Sequence, residues 1–183
     1  MKTFVEIGSC DFNTLRVLCD DGWKGIMVDP YKPYLDNIES HENLTKVNKA
    51  VGLYNGKVKF KKLKDDYIKE MGDTDLKGMG TITNVTTLDT FSGFSDNIET
   101  YDVDLITFDS MLSSLNVTTI DYLKIDTEGM DFDILKSIDY TKFNINIIRM
   151  EHTYCDDKLV IDFLNHNGYH CELFKNDIIA IKK

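Results

Sequence analysis

A lysine inside an otherwise apolar strand constrains this chain more than any other feature. Residues Tyr122 to Gly129 read Tyr-Leu-Lys-Ile-Asp-Thr-Glu-Gly. Ile120, Leu123 and Ile125 give the stretch the apolar content of a short buried strand. Lys124 and Asp126 lie two residues apart, so on a strand both point to one face. A central strand of a parallel sheet is normally apolar on both faces. Lys124 must then meet a carboxylate such as Glu6 or Glu151, because an unpaired buried charge costs too much. Asp126, Glu128 and Gly129 fall where the strand ends, and Asp131 to Ile138 reads as a helix. Ligands bind at this carboxyl edge in open α/β sheets, which makes it the expected centre of a site.

The rest of the chain builds a sheet around that strand. Thr3 to Ile7 is a strand ended by Gly8, and Asp11 to Cys19 has helical spacing at Phe12, Leu15 and Leu18. Gly25 to Val28 is a second strand, closed by Asp29-Pro30, since proline cannot extend a ladder. Tyr31 to Ser40 reads as a helix with Pro33 in its first turn. Leu44 to Val51 is a third strand, and Gly52 to Leu63 reads as a hairpin turning at Asn55-Gly56. Lys64 to Ser95 is rich in Gly, Asp, Thr and Met; it is either a surface loop or a lid over a site. Asp104 to Phe108 is strand-like, and Asp109 to Leu115 is a short helix capped by Asp109. Ile145 to Glu151 is an apolar strand, followed by a helix from Lys158 to Asn167 that Gly168 stops. Tyr169 to Phe174 and Ile178 to Ile181 form a last hairpin. Strands alternating with helices predict an α/β, doubly wound sheet.

Composition sets outer limits. A chain of 183 residues suits one domain spanning 1–183. A net charge of −10 disfavours a sequence-independent grip on nucleic-acid phosphates. The basic run from Lys57 to Lys64 alternates with Val58 and Phe60, as one solvated strand face does. No apolar run approaches the length of a membrane helix, and no signal-peptide pattern precedes the first strand. The four cysteines, Cys10, Cys19, Cys155 and Cys171, have neither C-x-x-C nor zinc spacing. Reduced thiols and a cytoplasmic location are expected.

Two further positions point to a ligand. Gly8 joins the first strand to the first helix, where a glycine lets backbone approach a bound group and the helix N-terminus favours negative groups. Asp29 ends the second strand, where a carboxylate accepts hydrogen bonds from both hydroxyls of a ribose. Together they suggest an adenosine-containing ligand. The G-x-G-x-x-G fingerprint and the Walker loop are both absent, which argues against a nicotinamide-type oxidoreductase.

Four blocks in order resemble the FkbM-type family of S-adenosylmethionine-dependent methyltransferases. They are Phe4-Val5-Glu6-Ile7-Gly8-Ser9, Val28-Asp29-Pro30, Leu105 to Leu112, and Leu123-Lys124-Ile125-Asp126-Thr127-Glu128-Gly129. Ile147 to His152 is similar too. Cys10 and Asp11 stand where the family usually has glycine and often asparagine, and Asp29 where it usually has glutamate. The resemblance implies a Rossmann-like class I methyltransferase: a three-layer sandwich with a mostly parallel seven-stranded sheet and an antiparallel C-terminal hairpin. It implies S-adenosyl-L-methionine as cofactor, with Glu6, Gly8 and Ser9 shaping its methionine end and Asp29 holding its ribose. Asn48-Lys49-Ala50 would lie near the adenine, and Asp126 would face the sulfonium or the acceptor. The expected cofactor-binding set is Glu6, Gly8, Ser9, Cys10, Asp29, Pro30, Ala50 and Asp126.

Methyl transfer needs in-line positioning more than acid–base chemistry, but a hydroxyl acceptor must lose a proton. His152, Asp126 and Glu128 are the expected catalytic residues, with His152 as base because its ordinary pKa is near neutral. Glu151 also reaches that edge. No metal site is assigned; Asp126, Glu128 and His152 are the donors that a divalent ion would use. Cys10 is either a reactive thiol or a small buried filler. The expected reaction is O-methylation of a hydroxyl or carboxyl on a small-molecule or glycan acceptor, with a homodimer and a part of Lys64–Ser95 as possible sources of the acceptor pocket. The alternative is a catalytically silent module that binds S-adenosylmethionine or a partner protein.

Overall fold

A computed structural model describes residues 1–83 and 94–183. β1 (Thr3–Ile7), β2 (Lys24–Val28) and β3 (Leu44–Val47) run parallel, followed in space by β7 (Thr119–Ile125) and β8 (Asn144–Glu151). β9 (Tyr169–Phe174) and β10 (Asp177–Lys182) close the sheet as an antiparallel hairpin, giving the order β3-β2-β1-β7-β8-β10-β9. This is the mostly parallel seven-stranded sheet expected from the sequence.

The central strands are buried on both faces, and alternate residues go to different cores. Val5, Ile7, Ile26, Val28, Leu123 and Ile125 pack with α3 (Phe108–Ser114), α4 (Asp131–Ser137) and α5 (Asp157–His166). Phe4, Met27 and Tyr122 face the other way, toward Leu35 and Ile38 at α1 (Lys32–Asn37) and Cys19 of a 3-10 turn, Arg16–Cys19. The helices thus sandwich the sheet in three layers. Among the described residues no helix is long and apolar enough to cross a membrane.

Glu6 and Lys124 interrupt the second core. They are register partners on β1 and β7, and Lys124 Nζ lies 3.1 Å from Glu6 Oε1 and 3.2 Å from Asp126 Oδ2. Burial works against the charged form of Lys124, but Glu6 and Asp126 outweigh it and hold the ammonium above its ordinary value. The cation expected to need a carboxylate has two.

Four expectations for local structure fail. Asp11 to Cys19 forms turns and only the short 3-10 segment, because Cys10 enters with φ +48 and sends the chain away from a helical course. The Gly8 loop therefore has no α-helix N-terminus behind it. Leu44 to Val51 divides: β3 ends at Val47, and β4 (Ala50–Gly52) joins a second sheet. β5 (Gly56–Leu63) does not pair with β4 as a hairpin, because β6 (Ile98–Thr107) lies between them, parallel to β4 and antiparallel to β5. The Asn55 side chain instead ties down the end of β6, accepting from the Thr107 amide at 2.9 Å and donating to Ser110 Oγ at 3.0 Å. Thr107, not Asp109, caps α3, accepting from the Ser110 amide.

The lysines of β5 behave as expected on their outer face, where Lys59 meets Asp102 at 2.7 Å and Lys57 meets Asp104 at 3.4 Å. Lys62 is the exception. It is buried, and its Nζ donates to Asp65 at 2.6 Å, Glu99 at 2.8 Å and the Leu63 carbonyl at 2.8 Å.

Lys124→Ala strands Glu6, which has no solvent exposure, without its cation. The expected loss is about 3–5 kcal/mol. Urea denaturation measures it, and an unchanged midpoint would show that Glu6 finds another partner.

Candidate functional site

Two loops meet at the carboxyl edge of β1 and β7, and their contact depends on one missing side chain. Gly8 has φ +80, and a Cβ built on it would sit 1.7 Å from the Asp126 carbonyl oxygen. The Asp126 amide donates to Ile7 O at 3.0 Å, and the Gly8 amide donates to Val28 O at 2.9 Å. Glycine here serves first to let strand ends approach one another.

A buried carboxylate organises each loop. Asp29 accepts from the Cys10 amide at 2.9 Å and the Tyr31 amide at 2.8 Å. Asp131 accepts from the Thr127 amide at 2.7 Å and the Gly129 amide at 3.1 Å. These bonds hold two non-glycine residues with left-handed backbone, Cys10 at φ +48 and Glu128 at φ +54. Such conformations persist where surrounding contacts over-determine them, and they cluster at functional sites. Burial pushes Asp29 up to about 7, against the pull of its two amide donors. Burial also pushes the Cys10 thiol up, so it stays protonated, which suits a filler rather than a nucleophile.

The loops open on a cavity with about 500 Å³ of empty space, part of it continuous with solvent. Gly8, Cys10, Asp29, Pro30, Ala50 and Asp126 of the expected set line it. Glu6 and Ser9 do not; both are fully buried, Glu6 against Lys124 and Ser9 beneath the loop with its hydroxyl on the Cys10 carbonyl. Tyr34, Phe60 and residues between Lys77 and Ile82 also line it. The last group comes from the stretch after α2 (Asp65–Met71) and the 3-10 turn Thr74–Gly78, part of the segment read as loop or lid. Lys77 Nζ holds Asp11 at 2.8 Å, and Thr81 bridges to Lys61 of β5 and donates its hydroxyl to Glu128 O at 2.7 Å. Residues 84–93 of that segment lie outside the described residues.

Beside Asp126 the strand ends bring three carboxyls together. Asp126, Glu128 and Glu151 each offer an oxygen within 4.8 Å of the others. Burial first, then Glu151 and Asp126, pushes Glu128 up to about 8; burial and then Asp126 push Glu151 to about 7. Carboxyls that share protons at neutral pH can move one, and the same trio of oxygens suits a hard divalent ion. His152 is not in this group. Its amide donates to Asn176 O at 2.9 Å and its ring nitrogen lies 3.4 Å from Lys175 O, over the β9–β10 turn. Neighbouring residues at a strand end face opposite ways, and Glu151 takes the side that Asp126 occupies. Tyr34, Phe60 and Lys77 carry no sequence signal for the cavity; Glu151 had one in its place at the end of β8.

The family model described as Methyltransferase FkbM domain matches residues 4–171. Comparison with curated proteins finds no match. Among solved structures, one similar chain comes from a fibrillarin/Nop5p complex, at a TM-score of 0.45 and 10% identity, covering 100% of this chain and 73% of that one.

The raised carboxyls give stability a definite pH dependence. Between Glu128's ordinary 4.5 and its native value of about 8, the folded chain keeps a proton that the unfolded chain has released. Stability therefore falls as pH rises through that window and levels off above it. Glu128→Gln, which stays neutral, flattens the upper part of the fall. Urea midpoints at about pH 5.5, 7 and 8.5 test this; parallel profiles for the two proteins would mean that Glu128 is ionised in the native state.

Proposed function

The chain belongs to the FkbM-type methyltransferase family, and from that premise we propose an S-adenosylmethionine-dependent enzyme that methylates an oxygen, a hydroxyl or carboxyl group on a small molecule or glycan. One observation carries the reading. One cavity is lined by Asp29, the Gly8 loop and Asp126, and Asp126 adjoins carboxyls poised to exchange protons near neutral pH.

The lining fits the cofactor. Asp29 retains free lone pairs beyond its two amide donors, and Tyr34 holds a buried hydroxyl without a partner among the described residues. In this reading Asp29 accepts from the ribose, Ala50 and Phe60 flank the base, and the Gly8 and Cys10 loop shapes the methionine end. Bound S-adenosylmethionine supplies an electrophilic methyl group. The chain's part is to align an acceptor oxygen with it and exclude water. Asp126, fixed by Lys124, orients the acceptor, and Glu128 takes its proton. A base with a pKa near the working pH is efficient, which favours Glu128 over a residue whose ring is engaged on the β9–β10 turn.

Calorimetric titration with S-adenosylhomocysteine tests the cofactor, and transfer of a labelled methyl group to an acceptor panel tests the reaction. Asp29→Ala should weaken binding about 10- to 100-fold. Glu128→Gln should bind as wild type does but turn over about 10²- to 10⁴-fold more slowly. Wild-type protein that fails to bind removes the proposal, and tight binding without transfer to any acceptor favours the silent module.

A further inference from the structure

Tyr34 is the described tyrosine whose buried hydroxyl has no hydrogen-bond partner. The residue is 4% exposed and lines the cavity. A buried hydroxyl left unpaired is costly, so a native chain that keeps one has a use for it. Two neighbours pack against the ring. Tyr31 packs edge-on against it at 4.8 Å between centroids, and Lys62 Nζ lies 5.5 Å from its centroid.

The surroundings define what the hydroxyl can meet. Cys10, Asp65, Asp29 and Asp11 are the acidic groups that act on it, and Lys62 and Lys77 stand among them. Asp65 and Asp11 are each paired with a lysine, Lys62 at 2.6 Å and Lys77 at 2.8 Å. A neutral group that both donates and accepts is favoured. In its ionised form Asp29 supplies acceptors only. A vicinal diol held by Asp29 alone would have its protons satisfied and its oxygen lone pairs bare. The phenol stays protonated, because burial and its acidic neighbours push its pKa up, so it remains a donor.

We propose that the Tyr34 hydroxyl donates to the ribose diol of the cofactor, opposite Asp29, and so selects for a ribosyl rather than a deoxyribosyl ligand. This rests on the cofactor reading given above. The pairing predicts a signature that a structural tyrosine would not give. Tyr34→Phe keeps the ring and its contacts but removes the unpaired atom, so the ligand-free protein melts at the same temperature or higher. Its affinity for S-adenosylhomocysteine nevertheless falls about tenfold.

Titration of wild type and Tyr34→Phe with S-adenosylhomocysteine and with its 2′,3′-dideoxyribosyl analogue tests the assignment. The expected result is a loss on Tyr34→Phe with the ribosyl ligand and none with the analogue. Equal affinity of the two proteins for S-adenosylhomocysteine overturns the inference, as does an equal loss with both ligands, which would place the hydroxyl on another part of the cofactor. A fall in melting temperature for ligand-free Tyr34→Phe also overturns it, because the hydroxyl would then serve the fold. Should that variant not fold, wild type that binds both ligands equally overturns it too. Wild type that binds neither ligand removes the cofactor reading itself, an outcome distinct from the others.

Discussion

Lys124 is the point on which the central sheet depends. It stands between β1 and β7, takes Glu6 on one side and Asp126 on the other, and is nearly inaccessible to water. A buried ion pair adds little net stability over a well-packed apolar pair, yet breaking one half is expensive. Its effect is therefore on position. Lys124 fixes the Asp126 carboxylate at the strand end, and the Gly8 contact with the Asp126 carbonyl brings the first loop to the same point. Cofactor-facing and acceptor-facing parts of the proposed site thus share one residue, with backbone and side chain separately held.

The acidic edge is built with the opposite logic. Lys124 gives Asp126 a cation, while Glu128 and Glu151 lie beside it and beside each other. Burial and mutual repulsion are relieved by keeping protons, not by adding counter-charges. The chain also spends left-handed backbone on Glu128 and a buried carboxylate, Asp131, on holding the loop there. Together they keep a proton-exchanging group beside the cavity.

The parallel strands were legible because burial on both faces leaves continuous apolar runs in β1, β2, β7 and β8, and a lone lysine within such a run demands a carboxylate. A carboxylate partner followed from that demand, with Glu6 and Glu151 as candidates, and the fold supplies Glu6 together with Asp126. What failed was information that does not reside in local pattern. Asn55-Gly56 is a strong turn signal, but no turn signal reveals that a strand forty residues later will insert between the arms. Phe12, Leu15 and Leu18 have helical spacing, while the left-handed Cys10 decides the path before that spacing can act. At the end of β8 the sequence brought Glu151 and His152 to the right edge, and single-residue alternation decided which side chain joined Asp126. Tyr34 was invisible because a buried aromatic on a short helix reads as core; only its unpaired oxygen distinguishes it.

The crossing from β3 to β4 joins the two sheets through only Asn48 and Lys49. The cavity is lined from both sides of that crossing: Val28 and Asp29 belong with the large sheet, Val51 and Phe60 with the small one. A ligand there acts as mortar between two separately hydrogen-bonded ladders. Where the small ladder opens by itself, amide hydrogens of β4, β5 and β6 exchange at a free energy below global unfolding. Filling the cavity couples those openings to loss of the ligand. Slowed exchange would then spread along the small sheet, well beyond the residues that touch the bound molecule.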